Sequence, residues 1–294
     1  MAFLDNLING ISLGSIYAVI ALGYTLVYGI AKMLNFAHGD VIMVGGYIIY
    51  TAMTSALQLN GYLSVLIAIV GCTVLGITIE KVAYKPLRQA TSLAVLITAI
   101  GVSYFLQNMA LLIFGEKPVT FTSIITIPKL SLFDGQIVIK SEAIASIIVS
   151  VIIVVGLSLF VNKTKSGRAM LAVSEDKDAA QLMGINVNRT ISLTFAIGSG
   201  LAAVAGALLC STYPVLSNTT GAMPGIKAFV AAVFGGIGSI PGAMIGGLLI
   251  GVIEILGRAY VSPQLADAIV FAVLIVVLIV KPTGILGKKV NEKV

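Results

Sequence analysis

An all-α, polytopic bundle of roughly eight to ten membrane-crossing helices is the expectation for this chain of 294 residues, on three observations. Apolar residues make up 58% of it and charged residues only 10%, where a soluble domain is about a quarter charged. Apolar runs of the ~20 residues that a hydrocarbon core of ~30 Å demands follow one another with short interruptions. The alternation of a membrane barrel strand is missing, and in lipid that leaves the helix, which satisfies its own backbone groups. Such a deficit of charge excludes an ordinary soluble enzyme. The length leaves no room for a separate soluble domain, so residues 1–294 are expected to form one transmembrane domain.

Six apolar runs place spans at residues 7–30, 41–57, 62–79, 93–114, 143–161 and 191–211. A glycine-dense stretch, 226–256, and a final aliphatic run, 265–280, follow. No basic residue precedes Lys32, so the amino-terminal run lacks the positive region of a signal peptide and is expected to be retained. Cys72 and Cys210 lie inside apolar runs, which implies neither a disulfide framework nor a metal site. With no Trp, the ten Tyr are left for any interfacial belt.

Orientation follows from Lys and Arg, which accumulate in short cytoplasmic loops. Lys81, Lys85 and Arg88 mark one loop, Lys163, Lys165, Arg168, Lys177 and Arg189 a second, and Lys281, Lys288, Lys289 and Lys293 the tail. With Lys32, thirteen of the eighteen basic residues fall on one side. The loop 115–142 balances three Lys against Glu116, Asp134 and Glu142 and suits the outer face. The loop 162–190 and the tail are thus expected in the cytoplasm and the amino terminus outside. No single basic face forms, so the net charge of +6 is a topology signal and does not imply nucleic acid.

A single crossing by 226–256 would put the tail on the wrong side. The chain is expected to turn back at Gly235-Gly236-Ile237-Gly238-Ser239-Ile240-Pro241-Gly242, where glycine weakens a helix and proline removes a donor. Two short or re-entrant pieces result. Non-helical backbone at membrane depth survives only when buried or lining a wet cavity, so Gly238, Ser239 and Pro241 are pathway candidates; a tight surface turn is the alternative. Gly238, Gly242 and Gly246, then Gly247 and Gly251, and separately Gly198, Ala202 and Gly206, repeat every four residues and predict close helix packing, within the chain or against a partner.

The chemistry of an energy source is sought and not found. Gly284-Ile285-Leu286-Gly287-Lys288-Lys289 has the wrong spacing for a phosphate loop, and Pro241 stands where a dinucleotide motif needs glycine, so nucleotide hydrolysis requires another chain. Ionisable residues within or near spans are few: His38, Asp40, Glu80, Lys81, Glu254 and Asp267. Glu254 has Arg258 four residues on and reads as a structural ion pair. A lone His with a lone Asp falls short of a metal or hydrolytic site. Residues 35–40 read as a polar break and helix start with Asn35 or Asp40 as caps, or as a pathway element in which a half-helix amino end faces a solute carboxylate.

Residues 174–184 predict a short surface helix capped by Ser174, with Glu175 and Asp176 near its positive end and Gly184 closing it. Ala179, Leu182 and Met183 share one face. Three of its four charges are acidic, which favours docking into a cytoplasmic partner over lying on lipid headgroups.

Asp178-Ala179-Ala180 followed by Gly184 resembles the Glu-Ala-Ala…Gly coupling loop in the membrane subunits of ABC importers. The downstream Ile-x-Leu-Pro element is only echoed by Ile191-Ser192-Leu193-Thr194, nearer to the glycine and without proline. With residues 34–40, Gly45-Gly46-Tyr47, 175–187 and 235–251, the whole chain is similar to the branched-chain amino-acid permease family of the LivH type. That resemblance implies a permease of leucine, isoleucine and valine in the bacterial inner membrane. Its implied partners are a second related permease, two ATPase subunits using ATP and Mg, and an extracytoplasmic binding protein, with no cofactor on this chain. Coupling falls to Glu175, Asp176, Asp178, Ala179, Ala180, Leu182, Met183 and Gly184, and the pathway to Asn35, His38, Asp40, Gly238, Ser239 and Pro241. Related permeases carry urea, short amides or other amino acids. An autonomous ion-coupled transporter is the rival class.

Overall fold

The computed structural model describes residues 2–54, 58–126, 128–132 and 137–287. Lys288, Lys289, Lys293, Asp134 and the last residues of the second expected span lie outside them. The described residues form α1 (Ala2–Ala31), α2 (His38–Thr54), α3 (Gly61–Ile79), α4 (Ser92–Phe114), α5 (Ser141–Lys163), α6 (Lys165–Glu175), α7 (Lys177–Leu182), α8 (Val187–Thr212), α9 (Ala222–Gly235), α10 (Ile240–Tyr260) and α11 (Ala266–Val280). A π-turn, Glu80–Tyr84, and a short 3-10 turn, Lys85–Leu87, prolong α3. Six helices are long and apolar enough to cross a bilayer: α1, α3 with its extension, α4, α5, α8 and α10. Among the described residues sheet is confined to two antiparallel pairs, Val119–Thr120 with Val215–Leu216 and Leu130–Leu132 with Ile137–Ile139.

Burial sorts the apolar helices into a centre and a rim. α1 has 94% of its apolar window buried, whereas α4 has 17% and α3 and α5 28% each. α1 reaches the centre because it is rich in residues that let backbones meet. At its crossing with α10, Gly14 lies against Leu248, where an added Cβ would stand 2.7 Å from the Leu248 Cα, and Ala18 lies against Gly247. α8 packs on the other side through Gly198 against Gly23, and its Gly206 meets Ile42 of α2. The small-residue faces therefore close within the chain.

The expected turn-back is present. Gly235 abuts Gly242, Ala231 abuts Gly246, and Lys227 pairs with Glu254, so α9 and α10 form an antiparallel hairpin. Gly236 (φ +103°) and Gly238 (φ +93°) take left-handed backbone at the turn, the Ser239 hydroxyl accepts from the Gly242 amide at 3.1 Å, and Pro241 sits in the first turn of α10. This turn lies at the basic end of the bundle, with Gly238 beside Gly29 of α1, and the Ile285 and Leu286 amides bond the Phe234 and Gly235 carbonyls, each at 2.9 Å.

The segment 174–184 differs from the single Ser174-capped helix expected, and Glu175 falls at the carboxyl-terminal end of α6, not near a positive helix end. The segment forms two helices divided at Asp176, and Ser174 is no cap: it lies in the last turn of α6, its hydroxyl donating to the Leu171 carbonyl at 2.7 Å. Asp176 caps α7 by accepting from the Asp178 and Ala179 amides, both at 2.9 Å, because its side chain reaches the unpaired amides of a helix that starts beside it.

Gly251→Leu drives a side chain into Gly14 of α1 and, at an overpacking cost of about 1–3 kcal/mol, is expected to lower the thermal midpoint of the detergent-solubilised chain by roughly 5 °C or more. Gly156→Leu, with open space around it, is expected to leave that midpoint within error in the same melt.

Candidate functional site

Two helices begin inside the bundle instead of at its surface. α1 ends with Lys32 in left-handed backbone (φ 59°), and the chain turns back along α1 through residues 32–37 before α2 starts at His38. The His38 side chain lies against Gly23, so α2 starts about two helical turns short of the end of α1. α9 starts beside it. Gly39, in the first turn of α2, packs on Gly221 and Gly225, where a Cβ added to Gly39 would come within 2.6 Å of the Gly221 carbonyl oxygen. Two amino ends, each the positive end of a helix dipole, thus meet across a glycine contact. α9, with 14 residues and about 21 Å of length, is too short to span ~30 Å.

Side chains around this contact are buried and mutually packed. The rings of Tyr24 and His38 meet edge-on at 4.8 Å, and Phe229 of α9 packs on Tyr24 and Phe36. His38 Nε2 is buried with no hydrogen-bond partner. Asn35 and Asp40 turn to neighbouring helices: Asn35 Oδ1 accepts from the Tyr84 hydroxyl and Asp40 Oδ1 from Gln107 Nε2 of α4, both at 2.9 Å. Asp40 supplies an acidic group in the first turn of α2; the first turn of α9 has none, and no side chain caps it. Asn35 and Ile237 of the glycine turn line one narrow crevice together with Tyr24, Tyr28 and Phe229. The structure therefore brings Asn35 to the turn that holds Gly238, Ser239 and Pro241, while His38 and Asp40 lie deeper.

At the basic end, α7 is a rigid projection. Ala180 is buried, and Gly184 (φ +81°) closes the helix as its amide bonds the Gln181 carbonyl and the Ile185 amide bonds that of Ala180. Leu182 and Met183 are 89% and 82% exposed, whereas Asp176 is engaged in capping and Glu175 ends α6. Lys177 points the other way and donates to the Ala31 carbonyl, at the end of α1, at 3.0 Å. Partial burial there, with Arg88 and Lys32 nearby, holds its ammonium below the usual lysine range.

Sequence reasoning missed the largest buried charge cluster. Glu254, fully buried, accepts from Lys227 Nζ and from the Tyr17 hydroxyl of α1, both at 2.8 Å, as well as from Arg258; Lys227 also meets Asp267 at 2.6 Å. Only the Glu254–Arg258 pair was legible as an i, i+4 spacing. The available signal for the rest was one lone Lys and one lone Glu on the two arms of a hairpin whose turn was already evident. A second cluster, Glu80 with Arg88 and the Ser192 hydroxyl, ties the α3 extension to α8.

Comparison with known proteins gives consistent matches. A family model described as "Branched-chain amino acid transport system / permease component" matches residues 6–278. The high-affinity branched-chain amino acid transport system permease protein LivH of Escherichia coli is 46% identical, covering 99% of this chain and 98% of that protein. BraD of Pseudomonas aeruginosa, of the same description, is 45% identical at the same coverages. A probable LivH permease of Methanocaldococcus jannaschii is 30% identical over 93% of this chain and 89% of its own length.

Glu254→Ala removes the counter-charge of Arg258, one of the two carboxylates on Lys227 and the acceptor of Tyr17, and is expected to destabilise the chain by about 3 kcal/mol. Asp267→Asn, at a carboxylate 42% exposed, is expected to cost less than about 1 kcal/mol. Thermal melts of the two purified variants check the ranking.

Proposed function

This chain belongs to the family of branched-chain amino acid transport permease components, and we propose that it carries leucine, isoleucine and valine across the bacterial cytoplasmic membrane. It is a multi-pass membrane protein, the permease component of an ABC importer complex, and not an enzyme. In the proposed assembly it pairs with a second related permease, two ATPase subunits that consume ATP with Mg, and an extracytoplasmic binding protein. It holds no cofactor of its own. The basic end, with 162–190 and the tail, faces the cytoplasm.

One observation carries the mechanism: α7 presents two bare apolar side chains at the basic end while its Lys177 grips the end of the most buried helix. Leu182 and Met183 enter a groove on an ATPase subunit, with Glu175, Asp176, Asp178, Ala179, Ala180 and Gly184 setting the shape and charge of the helix they stand on. Movement of α7 then pulls on α1, against which His38 at the start of α2 is seated. The solute passes the facing amino ends of α2 and α9, flanked by Asn35, His38 and Asp40, and the turn at Gly238, Ser239 and Pro241. Helix amino ends favour the carboxylate of an amino acid, and the apolar wall around them suits an aliphatic side chain.

The test is leucine uptake into proteoliposomes holding the assembled importer, binding protein and ATP. Leu182→Asp, and separately Gly184→Val, is expected to cut uptake by roughly tenfold or more while the chain still inserts and purifies intact. Unchanged uptake in both overturns the coupling role. Cysteine at Ser239 and at Asp40 is expected to react with a water-soluble maleimide in at least one transport state, against a background kept low by the burial of Cys72 and Cys210. Inertness in every state removes both residues from the pathway.

A further inference from the structure

A cleft of about 1,010 Å³ opens at the basic end between the α3 extension, α6 and the start of α8, away from the α2–α9 contact; Ile185 and Asn186, which follow the Gly184 closure of α7, also line it. Its walls carry a gradient. On one side Ile77, Lys81 and Lys85 follow one another at intervals of four residues; on the other, Leu193 stands one turn from Arg189, and Lys165 of α6 closes the end. Apolar side chains thus line the part that runs along the membrane spans, and four cations ring the mouth. All four are exposed, and none is in an ion pair among the described residues. Glu80 does not line the cleft, and its carboxylate is engaged by Arg88 and by the hydroxyl of Ser192 on the cleft wall. The first turns of α6 and α8 also border the cleft, adding their positive dipole ends.

We infer that this cleft binds the phosphate headgroup of an anionic phospholipid from the leaflet at the basic end, with an acyl chain along Ile77 and Leu193. Phosphate is the shared chemistry of a lipid and a free ion, and the gradient selects the lipid: a soluble anion makes no use of an apolar floor, while a lipid needs an apolar path beside its charge. A ring of unpaired cations has a cost in mutual repulsion, which a phosphate removes.

The experiment uses the full chain in nanodiscs or micelles, with lipid retention read by native mass spectrometry and stability by thermal melt against phosphatidylglycerol or phosphatidylcholine. Wild type is expected to retain phosphatidylglycerol and to gain thermal stability from it, and to gain nothing from phosphatidylcholine. Lys81→Gln with Arg189→Gln, one cation from each wall, is expected to weaken retention by roughly tenfold or more. Lys163→Gln with Arg168→Gln, an equal loss of charge outside the cleft, is expected to change it little. Leu193→Trp, which fills the floor and spares the charges, is expected to reduce retention as well. Equal losses in the two double variants, or stabilisation by inorganic phosphate as strong as by the lipid, would overturn the proposal. So would unchanged lipid retention in the cleft variant that, carried into the assembled importer and read by native mass spectrometry, loses the ATPase subunits; that result would place a protein there instead.

Discussion

Everything in this bundle hangs on the contact between α1 and α10. In a membrane, lipid tails are as apolar as leucine, so no hydrophobic force drives one apolar helix to bury itself against others. What selects α1 for the centre is closeness of approach: Gly14 against Leu248 and Ala18 against Gly247 let two backbones come together, and dispersion and backbone dipoles do the rest. The Tyr17 hydroxyl on Glu254 then fixes the register of that crossing with a single polar contact. α8 and α9 take positions set by the same helix pair, and α3, α4 and α5 remain with large apolar faces exposed.

A helix that central transmits force well. α7 is bonded to the end of α1 through Lys177, and the start of α2 leans on α1 through His38 at Gly23. Close-packed interiors respond to displacement by switching between arrangements more than by gradual deformation. In the proposed coupling role, the short helix closed by a Schellman motif at Gly184 serves as the lever, with Leu182 and Met183 as its exposed apolar residues.

Much of this was legible in the sequence, and what was not has a physical reason. Spans, the turn at 235–242 and a short helix within 174–184 follow from apolar run length, glycine and proline chemistry, and the placement of charge. Which helix is central does not follow from hydropathy, since α1 and α4 are both apolar all round; the discriminating signal is α1's set of Gly10, Gly14, Gly23 and Gly29 against the single Gly101 of α4, around which there is open space. The meeting of Gly39 with Gly221 joins segments far apart in the chain, and no local periodicity encodes it. Ser174 was the wrong cap because a serine and an aspartate two residues apart are both good caps, and tertiary packing of Met170 and Val173 carried α6 past the serine.

The facing amino ends of α2 and α9 are electrostatically unequal, and that inequality gives the contact a direction. Two positive dipole ends brought together repel unless negative charge sits between them. Asp40 compensates α2 from within its own first turn, and its carboxylate is held by Gln107 of α4, so this end is satisfied in the closed arrangement. α9 begins at Gly221 with neither acidic residue nor side-chain cap, and it is pressed against Gly39 by backbone contact alone. Parting the two helices would expose the amides of α9 first, at the end that lacks an anion of its own. A contact that is tight in shape and incomplete in charge would favour a carboxylate if it opened, which is what the proposed pathway asks of it.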